Sequence, residues 1–333
     1  MIEFCLVGAG FIGPVHARNI ASHRGANLRY VVDLDAVAAR ILADRHEARV
    51  ASFSEALFDP ALDAIVICTP PRTHAALIEA AARAGKAIFC EKPIDLDMGK
   101  VEACGRLLAE TGVPFFVGFN RRFDPTHRAL ASALRAGELG AVEMLVISSR
   151  DPEISPPAYV AAMPYGIFYD TMIHDFDMAR WLTGSEVAEV VARTAVRLDA
   201  ATNPHRDPDT AMALLTMQDG TLVHVNSSFR TVYGYDQRIE AFGEKGMLLS
   251  RNRQPTLLER HGADGIRQDP LQRFFIERYE EAYRAELEHF IQCLEKQSVP
   301  DSGFVDGRQA LAVAFAAMDS AKTGQPVRIS PRL

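Results

Sequence analysis

The sequence predicts an α/β protein: an N-terminal doubly wound parallel sheet, then a C-terminal α/β domain with a large, mainly antiparallel open sheet. Three observations predict it. A short apolar run, Ile2 to Val7, leads directly into Gly8-Ala-Gly-Phe-Ile-Gly13 and then a helical pattern. Strand-like and helix-like segments alternate from there to about residue 120, the pattern of parallel strands joined by helical crossovers. Beyond residue 186 the apolar spacing changes to period two, punctuated by Asp219-Gly220 and Glu244-Lys-Gly246, which read as hairpin turns. A chain of 333 residues is long enough for two domains, here divided as 1–120 and 121–333.

The first turn has the spacing G-x-G-x-x-G between a strand and a helix. Gly8 permits the tight turn, Gly10 lets the backbone approach a pyrophosphate, and Gly13 lets helix and strand pack closely. The strand Leu28 to Val32 ends at Asp33, whose carboxylate suits the ribose hydroxyls of an adenine dinucleotide and repels a 2′-phosphate. Leu34 and Asp35 follow, with no arginine, so NAD is favoured over NADP. A helix N-cap is the competing role for Asp33. Ser52 to Phe58 reads as a short helix and Ala64 to Cys68 as a strand. Its carboxyl-end loop, Thr69-Pro-Pro-Arg-Thr-His74, places Thr73 to cap a helix running to Gly85. The strand Ala87 to Cys90 ends in Glu91-Lys92-Pro93. Ligands bind at the carboxyl ends of parallel strands, so Lys92 is placed to reach a substrate and His74 to line a nicotinamide. A solvated lysine and a polar first-turn histidine are the plainer alternatives. Helix Asp97 to Thr111 and strand Val113 to Val117 complete this half.

Gly118-Phe-Asn-Arg-Arg-Phe-Asp-Pro125 reads as the crossover, with Arg121 and Arg122 offering donors either to a polyhydroxylated ligand or to surface carboxylates. Helix Pro125 to Ala136 and strand Val142 to Ser148 follow. A Pro-rich loop from Ser149 to Tyr165 has the length of a lid or substrate wall. Next comes a helix through Met172, Ile173, Phe176, Met178, Ala179 and Leu182 that stops at Gly184. Asp170 and His174, four apart, would stack on one face of it. A carboxylate one turn before an imidazole orients it and stabilises its protonated form, as a general base requires. An ordinary polar pair, with Asp170 favoured by the helix dipole, is the plainer reading. Strands are predicted over Glu186–Arg197, Thr210–Met217, Thr221–Arg230 and Gln237–Phe242, and long helices over Phe274–Leu294 and Val305–Lys322.

Composition narrows the partners. The formal net charge is −7, and no basic run suggests nucleic acid or an anionic membrane. No apolar run approaches the roughly 20 residues of a membrane span. Met1 to Val7 lacks the basic start of a signal peptide. The five cysteines contain no CxxC pair and fit free thiols in a reducing cytoplasm. A metal on His174, Asp170 and Asp177 would lack HxH or HExxH spacing, so no metal is expected.

Together these motifs resemble the glucose–fructose oxidoreductase/inositol dehydrogenase/rhizopine-catabolism family, Gfo/Idh/MocA, along essentially the whole chain. The carriers are Gly8 to Gly13, Thr69-Pro70 with His74, Glu91-Lys92-Pro93, and the helix with Asp170 and His174. Within it, Gly118 to Pro125, Ile173-His-Asp-Phe-Asp177 and Tyr233-Gly-Tyr-Asp-Gln-Arg238 look most like the inositol 2-dehydrogenases. The resemblance implies a Rossmann domain and a second domain whose open sheet often builds a homotetramer, or a dimer. It implies NAD-dependent oxidation of a secondary ring hydroxyl of a cyclic polyol, foremost myo-inositol. Another inositol isomer, an aldose or sugar derivative, and a non-catalytic NAD(H)-sensing regulator are the alternatives. Lys92, Asp170 and His174 match the catalytic set. Gly8, Gly10, Phe11, Ile12, Gly13, Asp33, Leu34, Thr69, Pro70, His74, Glu91 and Lys92 match the cofactor contacts. Asn120, Arg122, Asp151 and Tyr235 join the catalytic set against substrate. Tyr279 and Tyr283 are further candidates that core positions explain equally. Pro164-Tyr165-Gly166 stands where a Gly-Gly pair is usual, and Tyr169 where Leu or Met is common; both are expected on the substrate side.

Overall fold

Six parallel strands organise the first part of the chain: β1 (Ile2–Val7), β2 (Ala26–Val32), β3 (Arg49–Val50), β4 (Ala64–Ile67), β5 (Ala87–Glu91) and β6 (Phe115–Gly118). The computed structural model describes residues 1–329 of the chain. The strand order is β3-β2-β1-β4-β5-β6, so the chain reverses direction of travel between β1 and β4. That reversal opens a crevice at the carboxyl edge, where ligands of doubly wound sheets bind. All four residues of β4 and all five of β5 are buried, as a sheet covered on both faces demands. The intervening helices are capped locally. Asp35 accepts from the amides of Val37 and Ala38, Ser52 and Glu55 form a reciprocal capping box, and Asp97 accepts from Gly99 and Lys100. Asp35, not Asp33, is therefore the N-cap that follows β2.

The described contacts group Met1–Phe123 with Glu281–Gln309, and Asp124–Glu280 with the chain from Ala310 onward. The sequence-based division draws 121–333 as one continuous piece, whereas a late segment belongs with the first unit. Its long helix, expected as one piece, breaks at Tyr279 into Phe275–Arg278 and Glu280–Lys296. Ala282, Tyr283, Glu286, Leu287, Phe290, Ile291 and Cys293 bury one stripe of the second piece. Phe290 lies 6.3 Å from the ring of Phe4, and 5.8 Å from Phe89 and from Phe116. Periodicity reveals such a stripe but not which sheet it covers.

The second unit is built on β7 (Val142–Arg150), β8 (Val187–Ala195), β9 (Thr210–Met217), β10 (Leu222–Ser228), β11 (Asp236–Gly243) and β12 (Gly246–Ser250). A separate hairpin, β13 (Glu259–Gly262) with β14 (Gly265–Gln268), follows, and β15 (Val327–Arg328) adds a short edge. The order is β12-β11-β7-β10-β9-β8-β15. β7 and β10 run parallel and the remaining neighbours antiparallel. The hairpin and β15 escape the sequence reading because four and two residues are too few to show a period.

The two faces of this sheet differ. Leu145, Ile147, Ala213, Leu215, Val223, Val225, Ile239 and Ala241 are buried on one. Register places Phe242 opposite Met144 and Met247, Met144 opposite Leu222, and His224 opposite Leu214. Met144, Met212, Leu214, Leu222, Phe242, Met247 and Leu249 therefore share the other face, and all are exposed. Among the described residues, no helix is long and apolar enough to cross a membrane.

Candidate active site

The glycine turn after β1 is fixed by backbone sterics. Gly8 has φ +105°, and a Cβ on it would fall 2.7 Å from the Cys68 carbonyl group. A Cβ on Gly13 would stand 2.1 Å from the Gly8 carbonyl oxygen, so the helix Gly13–Ser22 can start this close to β1 only at glycine. Gly10 meets nothing within 4 Å: its Cα faces open space, as a site for a pyrophosphate requires. Asp33 folds back onto this turn. Its carboxylate accepts from the Ala9 amide at 2.5 Å and from the Asp35 amide at 2.8 Å. Ile12 is the N-cap of the helix, while Phe11 and Leu34 project outward, Leu34 fully exposed. These residues fit an adenine dinucleotide.

Two loops at the carboxyl edge are tied together by His74. Its Nδ1 lies 2.8 Å from the Pro93 carbonyl oxygen and its Nε2 2.7 Å from that of Thr69. Burial pushes the imidazole below its ordinary range, while these two carbonyls pull it back up. The ring is 1% exposed. The expectation that it lines a nicotinamide is corrected: the side chain is buried with its two nitrogens beside carbonyl oxygens of the loop after β4 and the loop after β5, which it joins. Thr73 does not cap its helix. Its hydroxyl donates to the Pro70 carbonyl, 2.8 Å away, and lies 2.7 Å from the Thr69 hydroxyl. Lys92 follows β5, half-buried, and its bond to Pro93 is cis. The Glu91 carboxylate also turns inward, onto His16 at 2.6 Å. Sequence reading missed His16, which sits three positions past Gly13 with nothing local to announce its partner.

In the second unit, the segment carrying the predicted dyad is not one α-helix. Ile167–Met172 forms a π-helical turn, and the α-helix proper spans Ile173–Thr183, ending at Gly184 with φ +66°. Asp170 therefore lies in the wider turn and His174 just beyond it, and α-helical i,i+4 stacking does not describe the pair. The helix is anchored around them. Asp175 meets the Ser149 hydroxyl, which also lies 2.9 Å from Gln237. Arg180 forms a two-pronged pair with Glu186 at 2.6 Å and stands 3.8 Å from Asp177. Ile154, Tyr159, Met163, Ile167, Asp170 and Asp207 help line a shallow recess. The Pro-rich loop supplies its wall, part of it as a helix, Pro157–Ala162. Tyr165 has φ +60°, which suits the glycine usual there, and its amide donates to Asp207 at 2.8 Å. Tyr169 packs on Phe315, 5.1 Å between rings, and its hydroxyl meets Met318 sulfur, so this departure is a core position rather than a substrate contact.

The other candidates divide. Arg122 donates to the Asp301 carbonyl at 2.6 Å and pairs with Asp306 at 2.8 Å, 4% exposed. Its guanidinium is engaged by Asp301 before helix Phe304–Thr323 and by Asp306 in that helix's first turn, which corrects its assignment to substrate. Arg121 and Asn120 are buried in the turn after β6. Asp151 follows β7, its amide bonded to the Ser228 carbonyl. Tyr235 stands edge-on to Tyr279 at 6.1 Å, and Tyr283 edge-on to His16 at 5.8 Å.

A dinucleotide-binding doubly wound unit, a lysine at its carboxyl edge, and a mixed-sheet unit presenting a carboxylate and an imidazole define a nicotinamide-dependent oxidoreductase. Residues 2–119 match the oxidoreductase family with an NAD-binding Rossmann fold, and residues 127–249 match the GFO/IDH/MocA C-terminal domain; the chain belongs to the GFO/IDH/MocA family. It is 44% identical over 331 residues to the inositol 2-dehydrogenase of Rhizobium meliloti (strain 1021), covering 99% of both chains. It is 33% identical over 337 residues to the scyllo-inositol 2-dehydrogenase (NAD(+)) of Bacillus subtilis (strain 168), covering 98% of this chain and 96% of that one. Its fold matches the Lactobacillus casei myo-inositol dehydrogenase crystallised with NAD(H) and myo-inositol, with a TM-score of 0.90 and 27% identity, over 100% of this chain and 98% of that one.

Proposed function

We propose that this protein oxidises myo-inositol to 2-keto-myo-inositol, with NAD as the oxidant. The observation that carries the reading is the open glycine turn with Asp33 folded over it, in a chain that also keeps Lys92, Asp170 and His174 and aligns end to end with an inositol 2-dehydrogenase. The balance is alcohol plus NAD⁺ to ketone, NADH and one proton. When bound, NAD supplies the hydride acceptor. The remaining work falls to the chain. Gly10 admits the pyrophosphate, Asp33 accepts from the ribose hydroxyls, and the outward Phe11 and Leu34 offer apolar surface to the adenine. His174 takes the hydroxyl proton at an imidazole nitrogen. Asp170 orients that ring and stabilises its charged form. Lys92 donates to the reacting oxygen and counters developing alkoxide charge. Asn120, Asp151 and Tyr235 are the polyol contacts.

The open face of the second sheet supports a homo-oligomer. Seven large apolar side chains in register on one exposed face are what an isologous sheet-to-sheet interface needs. Five free, buried cysteines favour a cytoplasmic site of action.

The test is NADH formation against myo-, scyllo- and D-chiro-inositol and a panel of aldoses, with NAD and NADP side by side. NAD-linked turnover of myo-inositol is expected. Lys92→Ala and His174→Ala should each lower it at least about a hundredfold while NADH still binds. Turnover of scyllo-inositol or an aldose alone discards the substrate. Undiminished turnover in both variants discards the catalytic roles.

A further inference from the structure

Three ionisable side chains meet inside the first unit, the described pair His16 and Glu91 joined by a third. His16 comes from the helix that opens the dinucleotide turn, Glu91 from the end of β5, and Glu286 from helix Glu280–Lys296. One nitrogen or oxygen from each lies within 4.8 Å of the other two. His16 and Glu286 are 0% exposed and Glu91 8%. Among the described residues this is the group of side chains able to surround a metal ion. The geometry argues for a different use. His16 Nε2 and Glu91 Oε1 are 2.6 Å apart, a hydrogen-bond distance, whereas two ligands of one Zn²⁺ at about 2.1 Å each stand more than ~3 Å from one another.

Charge decides the state of the third member. His16 Nε2 already occupies one Glu91 oxygen as a hydrogen-bond partner. Neither oxygen of Glu286 has a hydrogen-bond partner among the described residues. An ionised carboxylate there would be a lone charge without solvent, which is among the costliest things a fold can contain. We propose that His16, Glu91 and Glu286 form a positioning cluster in which Glu286 is held as the neutral acid facing the Glu91 carboxylate, fixing the backbone from which Lys92 projects. Burial pushes the Glu286 carboxyl well above the usual carboxylate range, and the nearby Glu91 adds to it.

The surroundings are shaped for this arrangement. A Cβ on Gly118 would come within 3.2 Å of the Glu91 carboxyl, so glycine in the neighbouring strand makes the room that carboxyl fills. The His16 ring is pinned edge-on by Phe89 at 5.0 Å and by Tyr283 at 5.8 Å. The cluster thus brings the helix at the phosphate turn, the strand end before Lys92 and helix Glu280–Lys296 to one buried point. His16 and Glu286 are positioning residues, since both act on Lys92 through Glu91.

This inference rests on Lys92 acting in turnover, so Lys92→Ala is measured beside Glu286→Gln and Glu286→Ala. The readouts are kcat, KM for myo-inositol, NADH affinity, and metal content of the purified protein. Gln keeps the shape and donor of a neutral acid, so Glu286→Gln should retain nearly native kcat. Glu286→Ala should lose kcat roughly ten- to a hundredfold, as a displaced reacting group does, with NADH affinity little changed. Glu286→Gln failing in kcat while folded, or one metal ion per chain, overturns the neutral-acid cluster. Native kcat in Glu286→Ala beside an inactive Lys92→Ala overturns the positioning role alone. An active Lys92→Ala overturns the catalytic reading beneath it, and this inference with it.

Discussion

The glycine turn after β1 and the segment carrying Asp170 and His174 hold their functional groups by opposite means. In the turn, backbone excludes everything else: 2.1 Å separates the Gly8 oxygen from where a Gly13 side chain would begin. In the helical segment, side chains do the holding: Ser149 and Gln237 around Asp175, and Glu186 on Arg180. Exclusion leaves a mark in the sequence, because only glycine satisfies it. Side-chain anchoring does not, because many polar residues could serve and partners such as Ser149 and Gln237 lie tens of residues away.

The sharpest way to break this contrast is within the turn itself. Gly13→Ala should cost about 1–3 kcal/mol or more by overpacking and abolish NADH binding, seen as a lowered melting temperature without cofactor and a flat fluorescence titration. Gly10→Ala, with nothing within 4 Å of its Cβ, should melt like the native protein yet bind NADH poorly. Equal melting of the two variants would dissolve the distinction between a packing glycine and a ligand glycine. In the second unit, Leu214→Asp on the open sheet face should shift the assembly toward smaller species in sedimentation with the far-UV spectrum kept. An unchanged mass would place any interface elsewhere. Asp33→Ser with Leu34→Arg should move kcat/KM toward NADP by roughly tenfold, about 1.4 kcal/mol, and an unmoved ratio would reduce Asp33 to a brace for the Ala9 amide.

The smallest effect is on stability against pH. Glu286 has its pKa raised in the folded chain, so folding favours its protonated form. That contribution is fully present below the unfolded carboxyl pKa of about 4.3 and is lost as pH rises toward the folded value. The charged and titratable groups facing it are Glu91 from β5, His16 from the first helix and Cys68 after β4, whose thiol burial also pushes up. Glu286→Gln should therefore melt progressively higher than native as pH climbs above that range, and near it at pH 4. Parallel curves would mean Glu286 carries no excess proton.

Much of the first unit is legible in sequence for the reason given. Its strands are unbroken apolar runs such as Ala64–Ile67, and its ligand turn is written in glycines. The second unit hides more. The π turn at Ile167–Met172 shows the same apolar spacing as an α-helix to within a residue. The inward turn of His74 and Glu91 depends on Pro93 and His16, which only folding brings near. The corrected role of Arg122 has the same origin, since its acceptors lie at residues 301 and 306.

The chain's route has a consequence for its synthesis. The first unit needs Glu281–Gln309, and the whole of Asp124–Glu280 is translated in between. At about 5–20 residues per second that delay is roughly 10–30 s, during which the rings of Phe4, Phe89 and Phe116 await Phe290. A nascent chain stalled between residues 116 and 290 therefore lacks the ring that packs on these three. Neither unit is complete until the late helices are made: the first awaits Glu281–Gln309, the second the chain from Ala310 onward.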